Sequence, residues 1–340
     1  MMRLPNFQYQ APRTLDEAAR WLADSPADTM IVAGGTDVLP NMKRRQQTPR
    51  TIVGLRQIEA LRQMRHAGDI TIGAGVTLSA IVNDARVRAS CPGLWQAAAQ
   101  IATPHLRNMG TIGGNLCLDT RCTYYDQGEE WRRSIGFCMK KDGQTCWVAT
   151  SSPKCLAVSS TDLAPMLQAL GARVRLVSTS GERTIGIADL YNNDGMRYLT
   201  RRPDEILTEV IVPAQTEWRS AYWKLRRRGS FDFPVASAAV AARIDAGGHV
   251  AEARVVVGAV ASRPLTSEPA AAVLNGARLT DENIAAAADA AFTIAKPMDN
   301  TDFELVWRKK MIRTLVTAAL RELRGDDMRA MRLRIARQVL

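Results

Sequence analysis

Apolar positions along this chain change period every few tens of residues, and each change predicts an element. Leu15, Ala18, Ala19 and Leu22 keep helical spacing behind Thr14-Leu15-Asp16-Glu17, a capping box, and Pro26 helps to end that helix. Met30 to Ala33 form a short apolar run that reads as a buried strand. It leads into Gly34-Gly35-Thr36-Asp37, and 51–55 reads as a second strand. A strand at 70–76 and helices at 78–85 and 94–102 follow, then a helix at 162–172 and strands at 174–178 and 206–212. Beyond Tyr222 the pattern becomes β-branched and alternating. Residues 222–227, 235–243 and 250–260 predict an antiparallel sheet, with alanine-rich helices from Ser267 onward. The chain therefore reads as α+β in three parts. These are a small α/β lobe at 1–55, a mixed α+β lobe at 56–215, and a C-terminal antiparallel sheet with helices at 216–340.

One stretch fits no element. From Cys117 to Ser160 the chain is polar and could bury little by itself, and a loop of that length is usually disordered or tied down by something. The chain's six cysteines fall between positions 91 and 155, and five of them lie in this stretch with the spacing C-x4-C-x15-C-x7-C-x8-C. Structural zinc prefers paired knuckles two to four residues apart, and only Cys117 and Cys122 come close to that. Iron–sulfur clusters accept wider spacing when four thiolates converge. The residues thus point to a metal centre, iron–sulfur ahead of zinc. Cys91 reads as a small buried apolar side chain. His66, His105 and His249 are scattered and form no catalytic set.

Bulk composition narrows the setting. The 340 residues are 46% hydrophobic and 23% charged, ordinary values for a globular protein with several cores. No apolar run approaches the ~18–20 residues of a membrane span, and the N-terminus lacks a signal-peptide core. A cytoplasmic location is expected, where disulfides are disfavoured. The net charge of +11 is concentrated at the end, where residues 308–340 hold ten Lys/Arg against three Asp/Glu. Leu315, Ala319 and Leu323 form a helical stripe there. The arginines beside it read as a solvated face or as a docking surface for an acidic partner. No nucleic-acid motif accompanies them.

Two glycine turns complete the chemistry. Gly34-Gly35-Thr36 and Thr111-Ile112-Gly113-Gly114-Asn115 each lie near a predicted strand end. Glycine permits φ > 0 and close approach, so successive N–H groups could converge on phosphate oxygens. Each turn alone reads equally as an ordinary tight turn. Together they open the reading of a shared diphosphate.

In order along the chain, IVAGGTDVLPN, IGAGVTLSAI, HLRNMGTIGGNL, STDLAPMLQALGA and YWKLRRRGSFDFPVASAAV resemble the FAD-binding medium subunit of the xanthine oxidase family of molybdenum hydroxylases. The resemblance implies that Ile31, Val32, Ala33, Gly34, Gly35, Thr36, Asp37 and Val38 hold FAD together with Thr111, Ile112, Gly113, Gly114 and Asn115. It also places Ile101, Asp162 and Lys224 at the flavin. The extra ~40 residues after the second turn resemble one branch, the β subunits of 4-hydroxybenzoyl-CoA reductase. By that pattern Cys122, Cys138, Cys146 and Cys155 ligate a [4Fe-4S] cluster, Cys117 is a spare neighbour, and Thr123 reaches the flavin.

The resemblance further implies an oxidoreductase subunit with no catalytic residue of its own. Ferredoxin would reduce the cluster, and electrons would pass through FAD to a small [2Fe-2S] subunit and a large molybdenum subunit that dehydroxylates 4-hydroxybenzoyl-CoA. The complex would be a dimer of heterotrimers. Two other readings remain. One is an ordinary hydroxylase FAD subunit whose insertion is structural or zinc-binding, and the other is a scaffold that only docks partners.

Overall fold

Residues 3–337 are described by a computed structural model. Three sheets divide the chain. Strands β1 (Gln8–Gln10), β2 (Thr29–Val32) and β3 (Thr51–Gly54) form a parallel sheet in the order β1-β3-β2. Parallel neighbours need a crossover, supplied by helices Leu15–Asp24 and Val38–Lys43. Thr14 caps the first of these, its hydroxyl oxygen accepting the Glu17 N–H at 3.2 Å. The Glu17 carboxylate answers the Arg13 N–H at 2.9 Å rather than that of Thr14, so the box closes one residue early. Ala18, Ala19 and Leu22 pack on Val53 and Leu55 and reach Ile206 of the next lobe.

The second sheet is antiparallel throughout. It contains β4 (Met64–Ala67), β5 (Asp69–Gly73), β6 (Arg173–Ser178), β7 (Gly181–Gly186) and β8 (Ile206–Val212), ordered β4-β5-β8-β6-β7. The strand expected at 70–76 stops at Gly73 because the chain then crosses Leu61 closely. A Cβ on Gly73 would lie 2.3 Å from the Leu61 carbonyl oxygen. The helix expected at 94–102 runs Pro92–Ala99 instead. Cys91, just ahead of it, is fully buried among apolar neighbours as expected.

The third sheet, β9 (Trp218–Leu225), β10 (Ala236–Ile244), β11 (Val250–Gly258) and β12 (Leu265–Thr266), is antiparallel in the order β12-β11-β10-β9. Alternation gives it two buried faces. Ala239, Ala241 and Val256 join the core of the second lobe beside helices Pro92–Ala99 and Leu163–Ala169. Ala238, Val240, Val255 and Val257 instead meet helices Asp281–Ile294 and Leu305–Arg324. The architecture is the expected mixed α+β, with its antiparallel sheet and helices at the C-terminal end.

Leu315, Ala319 and Leu323 are buried, as their spacing predicts. Of the basic residues around them, Lys310, Arg313, Arg329 and Arg334 are exposed as a solvated face requires, whereas Arg308 departs from it. Arg308 is fully buried and donates to the carbonyls of Val235 (3.0 Å), Met298 (2.7 Å) and Ala259 (2.9 Å). Arg321 and Arg324 pair with Asp281, Arg324 also with Asp326, and Arg332 with Glu322. Much of the basic tail is thus answered within the chain. Its last three positions, 338–340, and the first two positions of the first lobe lie outside the described residues. No helix among the described residues is long and apolar enough to cross a membrane.

Candidate functional site

The two glycine turns face one cleft of about 520 Å³ between the first and second lobes. Their glycines act differently from the expectation. Of Gly34, Gly35, Gly113 and Gly114, only Gly35 has positive φ, at 73°. Gly34 and Gly113 instead let one chain segment touch another, and Gly114 has only the Thr111 hydroxyl oxygen near its missing Cβ, at 3.2 Å. A Cβ on Gly34 would lie 2.0 Å from the Met109 carbonyl oxygen, and one on Gly113 2.7 Å from the Ala74 Cβ. These two close approaches bring the turns to a shared wall.

The turns also differ in what they offer a ligand. Residues 111–115 are the start of a capped helical turn, Ile112–Leu116, whose Thr111 hydroxyl accepts the Gly114 N–H at 3.1 Å. The N–H groups of Ile112, Gly113 and Asn115 bind Val76, Ala74 and Thr111 carbonyls at 2.9–3.0 Å. Their donors are therefore spent within the chain. What remains is side-chain chemistry. The Asn115 Oδ1 accepts the Thr161 hydroxyl at 2.7 Å and the Leu163 N–H at 3.2 Å, which leaves its NH₂ group to donate. The first turn supplies backbone. Among the described residues, the N–H groups of Gly34, Gly35, Thr36 and Asp37 have no protein acceptor. Such a run of adjacent donors suits a diphosphate.

Most of the expected cofactor residues line this cleft, namely Ile31, Ala33 to Val38, Ile101, Thr111, Gly113, Gly114, Asn115 and Asp162. Val32, Ile112, Thr123 and Lys224 stand off it. Ile112 is in the buried core. Thr123 is exposed, with its N–H on the Asn300 carbonyl at 2.9 Å. Lys224 lies behind Asp162, its ammonium 3.0 Å from that carboxylate and 3.2 Å from the Gln100 carbonyl. The Tyr222 hydroxyl donates to the same carboxylate at 2.8 Å. Burial pushes the Asp162 carboxyl up and the Lys224 ammonium down, and their mutual attraction opposes both shifts. Lys224→Met is expected to leave a buried carboxylate without its cation and to cost about 3–5 kcal/mol. Urea unfolding checks this, and the double variant Asp162→Asn/Lys224→Met should recover part of the loss.

Sequence reasoning missed the residues that fasten the cysteine stretch to the first turn. Arg121 pairs with the Asp37 carboxylate, donates to the Asn41 Oδ1 at 3.2 Å and lies 4.5 Å over the Phe233 ring. Gln47 donates to Asp119 at 3.1 Å, and Gln46 to the Tyr125 carbonyl at 2.5 Å. Arg121, Asp119, Gln47 and Phe233 all line the cleft. Phe233 sits within the YWKLRRRGSFDFPVASAAV stretch and Arg121 directly before Cys122, but no local pattern shows that they meet the first turn. The stretch itself holds a single short helix, Glu129–Ser134, and is closed at its base by the reciprocal Arg121–Val158 backbone pair at 2.7–2.8 Å.

Cys122, Cys138, Cys146 and Cys155 are buried, unlinked by disulfides, and line one small cavity. Burial, reinforced by the neighbouring thiols, pushes Cys122 up to about 12 and Cys155 up to about 11. Thiolates here would need cationic compensation. Among the described residues no three His, Cys, Asp or Glu side chains converge closely enough to hold a single metal ion. Cys117 departs from its expected place beside these four and lines the cleft instead. The cavity and the cleft share a wall, since Arg121 lines one and Cys122 the other.

Known proteins place this geometry. Residues 5–215 match the family described as the FAD binding domain in molybdopterin dehydrogenase, and residues 220–323 match the CO dehydrogenase flavoprotein C-terminal domain. The carbon monoxide dehydrogenase medium chain of Hydrogenophaga pseudoflava is 29% identical, with 93% of this chain and 97% of that one covered. The nicotinate dehydrogenase FAD-subunit of Eubacterium barkeri is 29% identical over 83% of this chain and 84% of its own length. Reconstituted CO dehydrogenase from Oligotropha carboxidovorans superposes with a TM-score of 0.79 at 27% identity, covering 95% of this chain and 99% of that one. The fold, the cleft and these matches agree, and the chain belongs to the FAD-binding medium subunits of the xanthine oxidase/CO dehydrogenase family.

Proposed function

We propose that this chain is the electron-input subunit of a molybdenum-containing reductase, holding FAD in the cleft and a [4Fe-4S] cluster in the cysteine cavity. One observation carries the reading beyond the family. Four cysteines from separate turns of a polar stretch are buried around one cavity that adjoins the flavin cleft. An iron–sulfur cluster exchanges single electrons, and FAD can hand them on singly or in pairs.

The chain's own residues position the groups and exclude water. The N–H groups of Gly34 to Asp37 and the Asn115 amide would hold the diphosphate, and Ile101 and Asp162 would face the flavin. Cys122, Cys138, Cys146 and Cys155 would ligate the iron. A low-potential donor of the ferredoxin type, a small [2Fe-2S] subunit and a large molybdenum subunit complete the proposed path, within a dimer of heterotrimers. The substrate is 4-hydroxybenzoyl-CoA, reduced to benzoyl-CoA and water.

The relatives named as dehydrogenases favour a second reading, an ordinary hydroxylase subunit in which FAD passes electrons outward. Flavin and iron content separate the two. Purified anaerobically with its partners, the subunit is expected to carry FAD and about four irons, with a dithionite-reduced EPR signal of a [4Fe-4S] cluster. FAD without that iron would return the chain to the hydroxylase reading.

A further inference from the structure

We propose that Lys140 is a positioning residue that sets how readily the cysteine cavity accepts an electron, an inference resting on the iron–sulfur reading above. Among the described residues lining that cavity, Lys140 is the sole cation. Its ammonium is held by three acceptors, the Asp119 Oδ1 at 2.7 Å, the Thr120 hydroxyl at 2.8 Å and the Gly195 carbonyl at 2.7 Å. An ammonium has three protons, and all three are engaged. The rings of Tyr125 and Tyr198 flank it at 4.9 and 5.1 Å, and the side chain is 6% exposed. The charge is therefore fixed in place and cannot swing to solvent.

Its counter-ion completes the device. Asp119 is 5% exposed, lines the cleft, and also accepts from the Tyr125 hydroxyl at 3.0 Å and from Gln47 at 3.1 Å. The Lys140–Asp119 pair thus spans the wall between cavity and cleft. One electron taken from a low-potential reductant adds one negative charge to the cavity. In a poorly solvated site a fixed cation stabilises that reduced state, and the carboxylate behind it tempers the effect. Sequence and side-chain burial alone would make Lys140 a structural tie. The charge pair gives it a direction that a tie does not have.

The test is an EPR-monitored redox titration of the anaerobic complex, with dithionite as reductant, for wild type, Lys140→Met, Lys140→Arg and Asp119→Asn. Lys140→Met should lower the midpoint, with roughly a tenfold change in the oxidised-to-reduced ratio at fixed poise, about 59 mV for one electron. Asp119→Asn should raise it, and Lys140→Arg should stay near wild type. Shifts of the two neutralising variants in the same direction, or unchanged midpoints with full iron, would overturn the proposal. If Lys140→Met loses its iron, Asp119→Asn decides, because it keeps the ammonium: a raised midpoint supports the proposal and an unchanged one sinks it. Wild type without iron would defeat the cluster reading itself, and the role of Lys140 with it.

Discussion

Cys138→Ser is expected to strip this subunit of its iron, from about four atoms to less than one, while FAD stays bound. Serine keeps the volume but is a much poorer iron ligand than a thiolate, and a cluster left with three thiolates in this loosely built stretch should be lost on purification. Cys146→Ser should behave alike. The Gly34 to Asp37 turn and Asn115, which would hold the diphosphate, come from other elements, so flavin retention is expected. The stretch around the cavity has little core of its own beyond Tyr125, Ala157 and the cysteines, so the variants should also be cut faster by protease between 122 and 155. Cys91→Ser and Cys117→Ser are the controls, since neither side chain lines the cavity. Iron that persists in Cys138→Ser, or vanishes equally in Cys117→Ser, would refute the ligand assignment.

Gly34→Ala should abolish flavin binding and destabilise the chain even without flavin. The added Cβ would meet the Met109 carbonyl oxygen at 2.0 Å and its carbon at 2.6 Å, both backbone atoms that no rotamer change can move aside. The end of β2 would have to part from the Met109–Gly110 segment, and that contact is what sets the two turns against each other. Overpacking of this kind costs about 1–3 kcal/mol or more. FAD retention on dialysis should fall more than tenfold, and the urea midpoint of the flavin-free protein should drop. A drop in flavin alone, with the flavin-free stability intact, would mean that the methyl meets the ligand rather than Met109. Gly128→Ala, where nothing lies within 4 Å of the added Cβ, should leave both readouts unchanged.

Much of the cleft was legible because its residues sit in compact local motifs. Gly34, Gly35, Gly113 and Gly114 marked it correctly, yet the reason differs at three of the four. Close contact between backbone segments, rather than positive φ, requires Gly34 and Gly113, and that contact is made with Met109 and Ala74 far along the chain. Edge strands β4 and β7 were illegible because their sequences, MRHA and GERTIG, are too polar to show an apolar alternation. Polar edges are how sheets avoid further pairing. The buried Arg308 was read as part of a basic face because its three carbonyl partners, Val235, Ala259 and Met298, come from three other stretches of chain.

By itself the sequence determined the more apolar helices and strands, the alternation of the last sheet, the glycine turns and the spacing of the cysteines. All of these are set by neighbours a few residues apart. Only the tertiary structure decided which polar side chains leave solvent and what they meet there. Arg121 finds Asp37, Lys140 finds Asp119 and Gly195, and Lys224 finds Asp162. Burying a charge is tolerated only where a partner and further hydrogen bonds are already in place. Those partners arrive from segments up to 84 positions away, beyond the reach of any local period.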